Sequence, residues 1–251
     1  MDGKIIRMNR LLNNGSMLCV PLDHGITTSE IGHLTNFTNI VEAITNNGAS
    51  AIIVHKGLVR FLPLLKNTGI IVHLSASTEK MQTVQKVIVC EVEEAIALGA
   101  DAVSIHVNLG NDYEKQMLQD FARISKDCQR FGVPLFVMMY IRDNNNKDIS
   151  TKETERQSIR IAAELGADIV KIGVNLEQID RLRYVIKDAL IPVVVAGGDI
   201  KKSENLYAAT MNLMGTGLLG VSFGRNIFMS DNPAKTTLEL SKIVYKINCN
   251  K

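Results

Sequence analysis

Asn47-Gly-Ala-Ser-Ala-Ile-Ile-Val-His55, Leu98-Gly-Ala-Asp-Ala-Val-Ser-Ile-His106 and Leu165-Gly-Ala-Asp-Ile-Val-Lys-Ile172 repeat one design, and Met214-Gly-Thr-Gly-Leu-Leu-Gly-Val221 is a looser copy. In each, a glycine can close a helix in the left-handed conformation, small residues turn the chain, and a buried strand begins. Working outward, apolar runs rich in Val and Ile recur at Met17–Pro21, Ala51–His55, Ile70–Leu74, Ala102–His106, Leu135–Met139, Ile169–Ile172, Val193–Ala196 and Leu218–Ser222. They are near-continuous rather than alternating, as strands covered on both faces are. Helical patterns lie between most of them: Val92–Leu98, Tyr113–Arg130, Glu153–Leu165, Leu176–Asp188 and Ser203–Met214, with Pro233–Ile247 at the end. Strand–helix alternation implies βαβ units. Eight such runs in 251 residues fit a (β/α)8 TIM barrel, read as one domain over residues 1–251. A doubly wound open sheet is the rival. It more often carries Gly-x-Gly-x-x-Gly after its first strand, where this chain has Pro21-Leu22-Asp23-His24-Gly25.

The composition is 46% hydrophobic and 22% charged, with a net charge of +2, so no global field favours nucleic acid. Cys19, Cys90, Cys128 and Cys249 are scattered without zinc spacing and read as reduced structural thiols. The segment Met1–Gly15 has no apolar signal core, and no apolar run is long enough to span a bilayer, so a cytoplasmic protein is expected.

Barrel enzymes carry their chemistry at the C-terminal ends of the strands. The polar residues there are Asp23 and His24, then His55 and Lys56, His73 and Ser75, and His106 and Asn108. Tyr140 and Arg142, Lys171, Gly197-Gly198 and Gly224-Arg225 complete the rim. Lys171 sits inside an apolar strand pattern. An amine kept from water gives up its charge more readily and can attack a ketone to form an imine. The other reading of Lys171 is a lysine reaching to solvent or paired with an acid. Lys56, next to Gly57, reads as a loop lysine in a supporting role. Asp23 suits a proton shuttle or a turn, and Tyr140 a proton donor or a satisfied core phenol. His55, His73 and His106 either hydrogen-bond a substrate or are structural. The paired glycine sites with Arg225 read as a phosphate cradle after the last two strands. No HxH or HExxH occurs, and no metal is expected. The polar stretch Arg142–Thr151 lies where a loop over such a site would sit.

Taken in order, Pro21-Leu22-Asp23-His24-Gly25, His55-Lys56-Gly57, Val72-His73-Leu74-Ser75, Met138-Met139-Tyr140, Gly166-Ala167-Asp168-Ile169-Val170-Lys171, Ala196-Gly197-Gly198 and Gly224-Arg225-Asn226 make the chain resemble the archaeal-type class I aldolase family. The resemblance implies a Schiff-base aldolase or transaldolase with Lys171 forming the imine, Tyr140 giving a proton and Asp23 accepting one. It implies that Asp23, His24, Gly25, Ile26, Thr27, Tyr140, Ile141, Arg142, Lys171, Gly197, Gly198, Gly224 and Arg225 hold a phosphorylated ketose, with Lys56, His55, His73 and His106 in support. An enamine left by retro-aldol cleavage would attack a small aldehyde, L-aspartate 4-semialdehyde, to give a seven-carbon amino-keto acid that precedes 3-dehydroquinate. The imine is the electron sink, so no cofactor is implied, and the family's ring assemblies imply a homo-oligomer. Ile141-Arg142-Asp143 and Gly198-Asp199 depart from the family's Pro-Arg-Gly and Gly-Pro. Two alternatives stand beside this reading. One is an aldolase using dihydroxyacetone phosphate, for an aminohydroxybenzoate precursor or fructose 1,6-bisphosphate. The other is a barrel that binds sugar phosphate without reacting.

Overall fold

In the computed structural model, which describes residues 3–78, 81, 83–173, 178–198 and 203–246, eight parallel strands close into a barrel. They are β1 (Met17–Pro21), β2 (Ala51–His55), β3 (Gly69–His73), β4 (Ala102–Leu109), β5 (Leu135–Ile141), β6 (Ile169–Ile172), β7 (Val193–Ala196) and β8 (Gly220–Ser222). Each strand pairs with its sequence neighbours, and β8 closes on β1. The runs read from the sequence and the observed strands coincide, apart from shifts at the ends of β3, β4, β5 and β8.

Helices α2 (Phe37–Thr45), α3 (Val92–Ala97), α4 (Glu114–Phe131), α5 (Lys152–Glu164), α6 (Ile179–Ile186) and α7 (Ser203–Met214) form the outer layer. The expected helix start at Leu176 lies outside the described residues. Between β2 and β3 the connection is a short 3-10 turn, Lys56–Phe61. The last helix, α8 (Pro233–Lys246), packs between α7 and α2 and completes the ring. The polar Arg142–Thr151 stretch folds back on itself, Arg142 bridging to Asp148 while Asp143 Oδ1 accepts from the Asn145 and Lys147 amides.

Strand side chains alternate between two faces, and in a closed barrel those faces are the interior and the helix layer. Leu18, Ile52, Val103, Val137 and Val170 face the helices. Cys19, Ile53, Ile71, Phe136, Met138 and Ile169 fill the interior. Both layers are apolar, which is why the sequence shows continuous runs.

The repeated Gly-Ala-Asp/Ser segments secure the barrel's lower end. Gly48, Gly99 and Gly166 take φ of +103°, +92° and +91°, the left-handed turn expected of them. In the looser copy it is Gly217, at φ +99°, rather than Gly215 that does so. The polar third residue of each good copy then reaches the preceding strand. Ser50 Oγ accepts from Leu18 N–H at 3.1 Å, Asp101 Oδ2 from Ile70 N–H at 2.9 Å and Asp168 Oδ2 from Leu135 N–H at 2.8 Å. The amides of the same three residues donate back to the carbonyls of Leu18, Ile70 and Leu135, so strand ends are tied reciprocally.

The helix α1 (Gly3–Arg10) caps this end. Lys4 pairs with Asp168 at 2.8 Å, Arg10 with Asp101 at 3.1 Å, and fully buried Leu11 plugs the interior. At Gly220, β8 presses on β1 so closely that an added Cβ would stand 1.9 Å from the Met17 carbonyl oxygen. Backbone on a paired strand cannot yield as a flexible side chain does. Gly220→Ala should therefore lower unfolding stability by about 3 kcal/mol, read from chemical denaturation midpoints against wild type.

Candidate active site

The alternation that fills the interior also builds the mouth. Beyond Ile53, Ile71, Met138 and Ile169, the next inward positions are His55, His73, Tyr140 and Lys171, joined by His106 on β4 and Ser222 on β8. Lys171 is only 6% exposed and lies in register between Met138 and Val194. Its ammonium makes no hydrogen bond or ion pair with a described residue. It opens into two adjoining hollows of about 380 and 840 Å³ that share His24, Thr27, Lys86, His106, Tyr140, Lys171 and Arg225.

Asp23 begins a short 3-10 turn after β1 and looks into the smaller hollow. Its carboxylate lies 3.3 Å from His24 Nδ1, at an angle poor for a hydrogen bond, and 3.9 Å from His73 Nε2. Burial by itself would raise the affinity of Asp23 for a proton. The nearby His24, His73 and Lys171 outweigh it and hold the carboxyl well below the usual range.

The histidines go the other way. Burial, reinforced by the neighbouring His55 and Lys171, brings His73 down to about 4 despite Asp23. Burial also lowers His55, and it lowers His106 strongly with help from the charge of Lys86. All three rings are neutral at pH 7. Ser104 Oγ sits 2.8 Å from His73 Nδ1, so the network fits a neutral ring accepting from Ser104 and turning Nε2–H toward Asp23 and Ser75. Ser75 Oγ accepts the His106 amide at 2.9 Å, and Asn108 Oδ1 meets His106 Nε2 at 2.9 Å.

Tyr140 lies against the His106 ring, with centroids 4.9 Å apart. Its other side meets Gly173, where an added Cβ would come within 3.0 Å of the tyrosine ring. A glycine next inward after Lys171 therefore lets the phenol lie alongside the end of β6. At the opposite wall Gly197 and Gly198 follow β7, Gly198 with φ +62°. Arg225 Nη2 donates to the Gly198 carbonyl at 3.2 Å, and Asn226 Nδ2 to that of Gly197 at 3.0 Å. Gly224 allows this turn to press on His24: a Cβ there would stand 2.7 Å from the imidazole.

Several expected residues lie elsewhere. Lys56 turns outward and pairs with Glu94 on α3 at 3.0 Å, because the 3-10 turn after β2 carries it out of the barrel. Ile141 falls on the helix-facing parity of β5, its side chain outside the hollows. Gly25 and exposed Ile26 do not line them either, although Thr27 does. Arg142 reaches the larger hollow, 3.6 Å from Asp148. Asp199 lies outside the described residues.

Other residues at the site had not been singled out. Ser222, 1% exposed, points an unpartnered Oγ into the barrel; counting alternate residues along its strand would have found it. Arg181 grips buried Glu155 at 2.9 and 2.7 Å and walls the larger hollow. Lys86 enters from the segment before Val87–Ile88, a place that no strand pattern marks. Cys19, Cys90 and Cys128 are free and buried, their thiols pushed up to about 12 chiefly by burial. Cys249 lies outside the described residues. Among the described residues no group of three or more His, Cys, Asp or Glu is arranged to hold a metal ion. No described helix is long and apolar enough to cross a membrane.

The buried imidazole of His73 has a consequence for stability. With its folded value near 4 and its unfolded value near 6.5, the unfolded chain binds the extra proton between those limits. Stability is complete above pH 6.5 and falls as pH drops toward 4. His73→Gln should remove about one proton from this dependence, roughly 1.4 kcal/mol per pH unit. Urea unfolding at stepped pH between 4 and 6.5 measures it, and Asp23, whose own transition lies lower, does not interfere.

Comparison with known proteins agrees with this fold. The chain is 40% identical over 248 residues to the 2-amino-3,7-dideoxy-D-threo-hept-6-ulosonate synthase 1 of Archaeoglobus fulgidus, covering 98% of this chain and 92% of that protein. It is 32% identical over 246 residues to the 2-amino-4,5-dihydroxy-6-oxo-7-(phosphonooxy)heptanoate synthase of Streptomyces griseus, covering 96% and 89%. Among solved structures, an archaeal fructose-1,6-bisphosphate aldolase with its catalytic Lys covalently bound to the carbinolamine intermediate of the substrate superposes with a TM-score of 0.87. The two are 25% identical, with 96% of this chain and 99% of that one covered. A family model matches residues 17–230, and by it the chain belongs to the DeoC/LacD family of aldolases.

Proposed function

We propose that the chain is a class I aldolase or transaldolase that joins an enamine, made from a ketose phosphate on Lys171, to L-aspartate 4-semialdehyde. The product is a 2-amino-3,7-dideoxy-heptulosonate-type keto acid, a precursor of 3-dehydroquinate. The observation that carries the reading is Lys171 itself: a buried amine on the inner face of β6, without a partner among the described residues and open to a hollow that also holds Tyr140 and Asp23.

The amine attacks the donor's carbonyl carbon, and loss of water leaves an iminium. The iminium draws electrons from the carbon–carbon bond one position further along. That bond breaks as a base removes the hydroxyl proton from the departing carbon, leaving an enamine and an aldehyde. Asp23, held ionised, offsets the iminium charge and is the carboxylate at hand to accept this proton, although its depressed proton affinity makes it a weak base. The enamine carbon then attacks the acceptor aldehyde, whose oxygen takes a proton from Tyr140. Water releases the product and regenerates Lys171. Neutral His55, His73 and His106 add no competing positive charge. The donor phosphate fits the wall of Gly197, Gly198, Gly224 and Arg225, which lines the larger hollow. The imine needs no metal or cofactor. The reading places the reaction in the cytoplasm and the chain in a homo-oligomer.

The likeness to the Streptomyces griseus synthase, whose product name retains a phosphate, favours one second reading, with dihydroxyacetone phosphate as donor. Product masses after incubation with each ketose phosphate, with and without aspartate semialdehyde, separate the two. Borohydride added with a ketose phosphate should leave a stable adduct on Lys171, located by peptide mass. Lys171→Met should give neither adduct nor turnover. Tyr140→Phe should still trap donor while turnover falls by about 10²–10⁴. Binding without any adduct in wild type would mean a non-catalytic sugar-phosphate barrel.

A further inference from the structure

Lys86 is a cation that the chemistry above leaves unused. It lines both hollows, yet it comes from no barrel strand. It precedes Val87–Ile88, which pairs with Ser75–Ala76 in a small antiparallel hairpin after β3. That hairpin is fixed to the barrel: Val89 N–H donates to the Leu74 carbonyl at 2.8 Å, and Asn108 Nδ2 on β4 donates to the Val84 carbonyl at 2.7 Å. The ammonium is therefore held in place over the ends of β3 and β4 rather than swinging in solvent.

Its hydrogen-bond partner is the Ser77 hydroxyl, a neutral group, and it forms no ion pair with a described carboxylate. An ammonium carries three donors, so two remain for the hollow. Desolvation depresses Lys86 from its usual value, which is the mark of a charge without a full partner.

Position decides what such a charge would meet. Around the closed barrel, β3–β4 stands across from β7–β8, where the glycine turns and Arg225 lie. Lys171 projects between the two walls. Where the phosphate stays on the enamine, as in the dihydroxyacetone phosphate reading, a donor with its phosphate at β7–β8 and its carbonyl at Lys171 directs the reacting carbon toward β3–β4. The acceptor aldehyde arrives from that side.

We propose that Lys86, supported by Ser77, binds the carboxylate of an acidic aldehyde acceptor and so selects it over neutral aldehydes. The assignment rests on the Schiff-base reading above for which substrate arrives, but not for the anion site itself. The rival anion is the distal phosphate of a phosphorylated acceptor.

The test compares 4-oxobutanoate, butanal and glyceraldehyde 3-phosphate as acceptors in wild type, Lys86→Gln and Ser77→Ala. The kcat/KM ratio of 4-oxobutanoate over butanal should fall at least tenfold in Lys86→Gln, mainly through KM, and by less in Ser77→Ala. A ratio that stays within twofold, or a larger loss for glyceraldehyde 3-phosphate than for 4-oxobutanoate, overturns the assignment. Calorimetric binding of unreactive 4-hydroxybutanoate separates this proposal from the function it builds on. Binding weakened at least tenfold by Lys86→Gln upholds the site even if wild type traps no donor. Equal binding in both proteins, or none in wild type, rejects it even if trapping succeeds.

Discussion

Strict alternation of side chains along strands that close on themselves governs this molecule. Once β1 through β8 form a ring, every second residue must face an interior too narrow for water, and the others must face helices. Ile169, Lys171 and Gly173 share one face of β6 and its extension; Met138 and Tyr140 share one face of β5. A shift of one residue in β6 would send Lys171 into the helix layer and bring Ile172 into the mouth. The reciprocal ties at Ser50, Asp101 and Asp168 guard against that slip, since each fixes a strand at its first residues.

Burial at the mouth then sorts the titratable groups by sign. The same removal from water that keeps His55, His73 and His106 neutral would neutralise Asp23 as well, were it not surrounded by imidazoles and a lysine. The result is a hollow in which the carboxylate keeps its charge while the rings of His55, His73 and His106 lose theirs. A positive iminium on Lys171 would face Asp23 without opposition from charged histidines. Lys86, on the other wall, adds to that balance by helping to keep His73 and His106 neutral, and it places a second positive charge where an incoming anion would lie.

The barrel was legible because covered strands need apolar residues on both faces, and because glycine followed by small residues is one of few ways to turn tightly from helix to strand. Lys171, Tyr140 and His73 were legible for the same reason, as polar residues at the ends of such runs. Lys56 was not: it follows His55 directly and read as a loop lysine near the site, but the 3-10 turn after β2 swings it to Glu94. Ile141 shows a different limit, for adjacency to Tyr140 in sequence is opposition in a strand. Lys86 carried no signal at all, because its place depends on a hairpin joined by Asn108 to a strand distant in sequence. Residues placed by periodic structure can be read from one sequence, whereas residues placed by irregular loops need the coordinates.

This division of labour also separates stability from chemistry along the barrel axis. The lower end is bound by Lys4–Asp168, Arg10–Asp101, the Leu11 plug and the contact of Gly220 with Met17. Among the described residues, the upper end leaves a lysine, a serine hydroxyl and a histidine nitrogen without a hydrogen-bond partner, at Lys171, Ser222 and His55. Buried polar atoms in that state cost stability unless something else satisfies them. They cluster on one face of one cavity, so a bound molecule with hydroxyl, carbonyl and anionic groups would satisfy several together. The strain of the upper end is thus borne by the ties of the lower, and loops above the strands are free to change which substrate is chosen while the barrel beneath holds the amine in place.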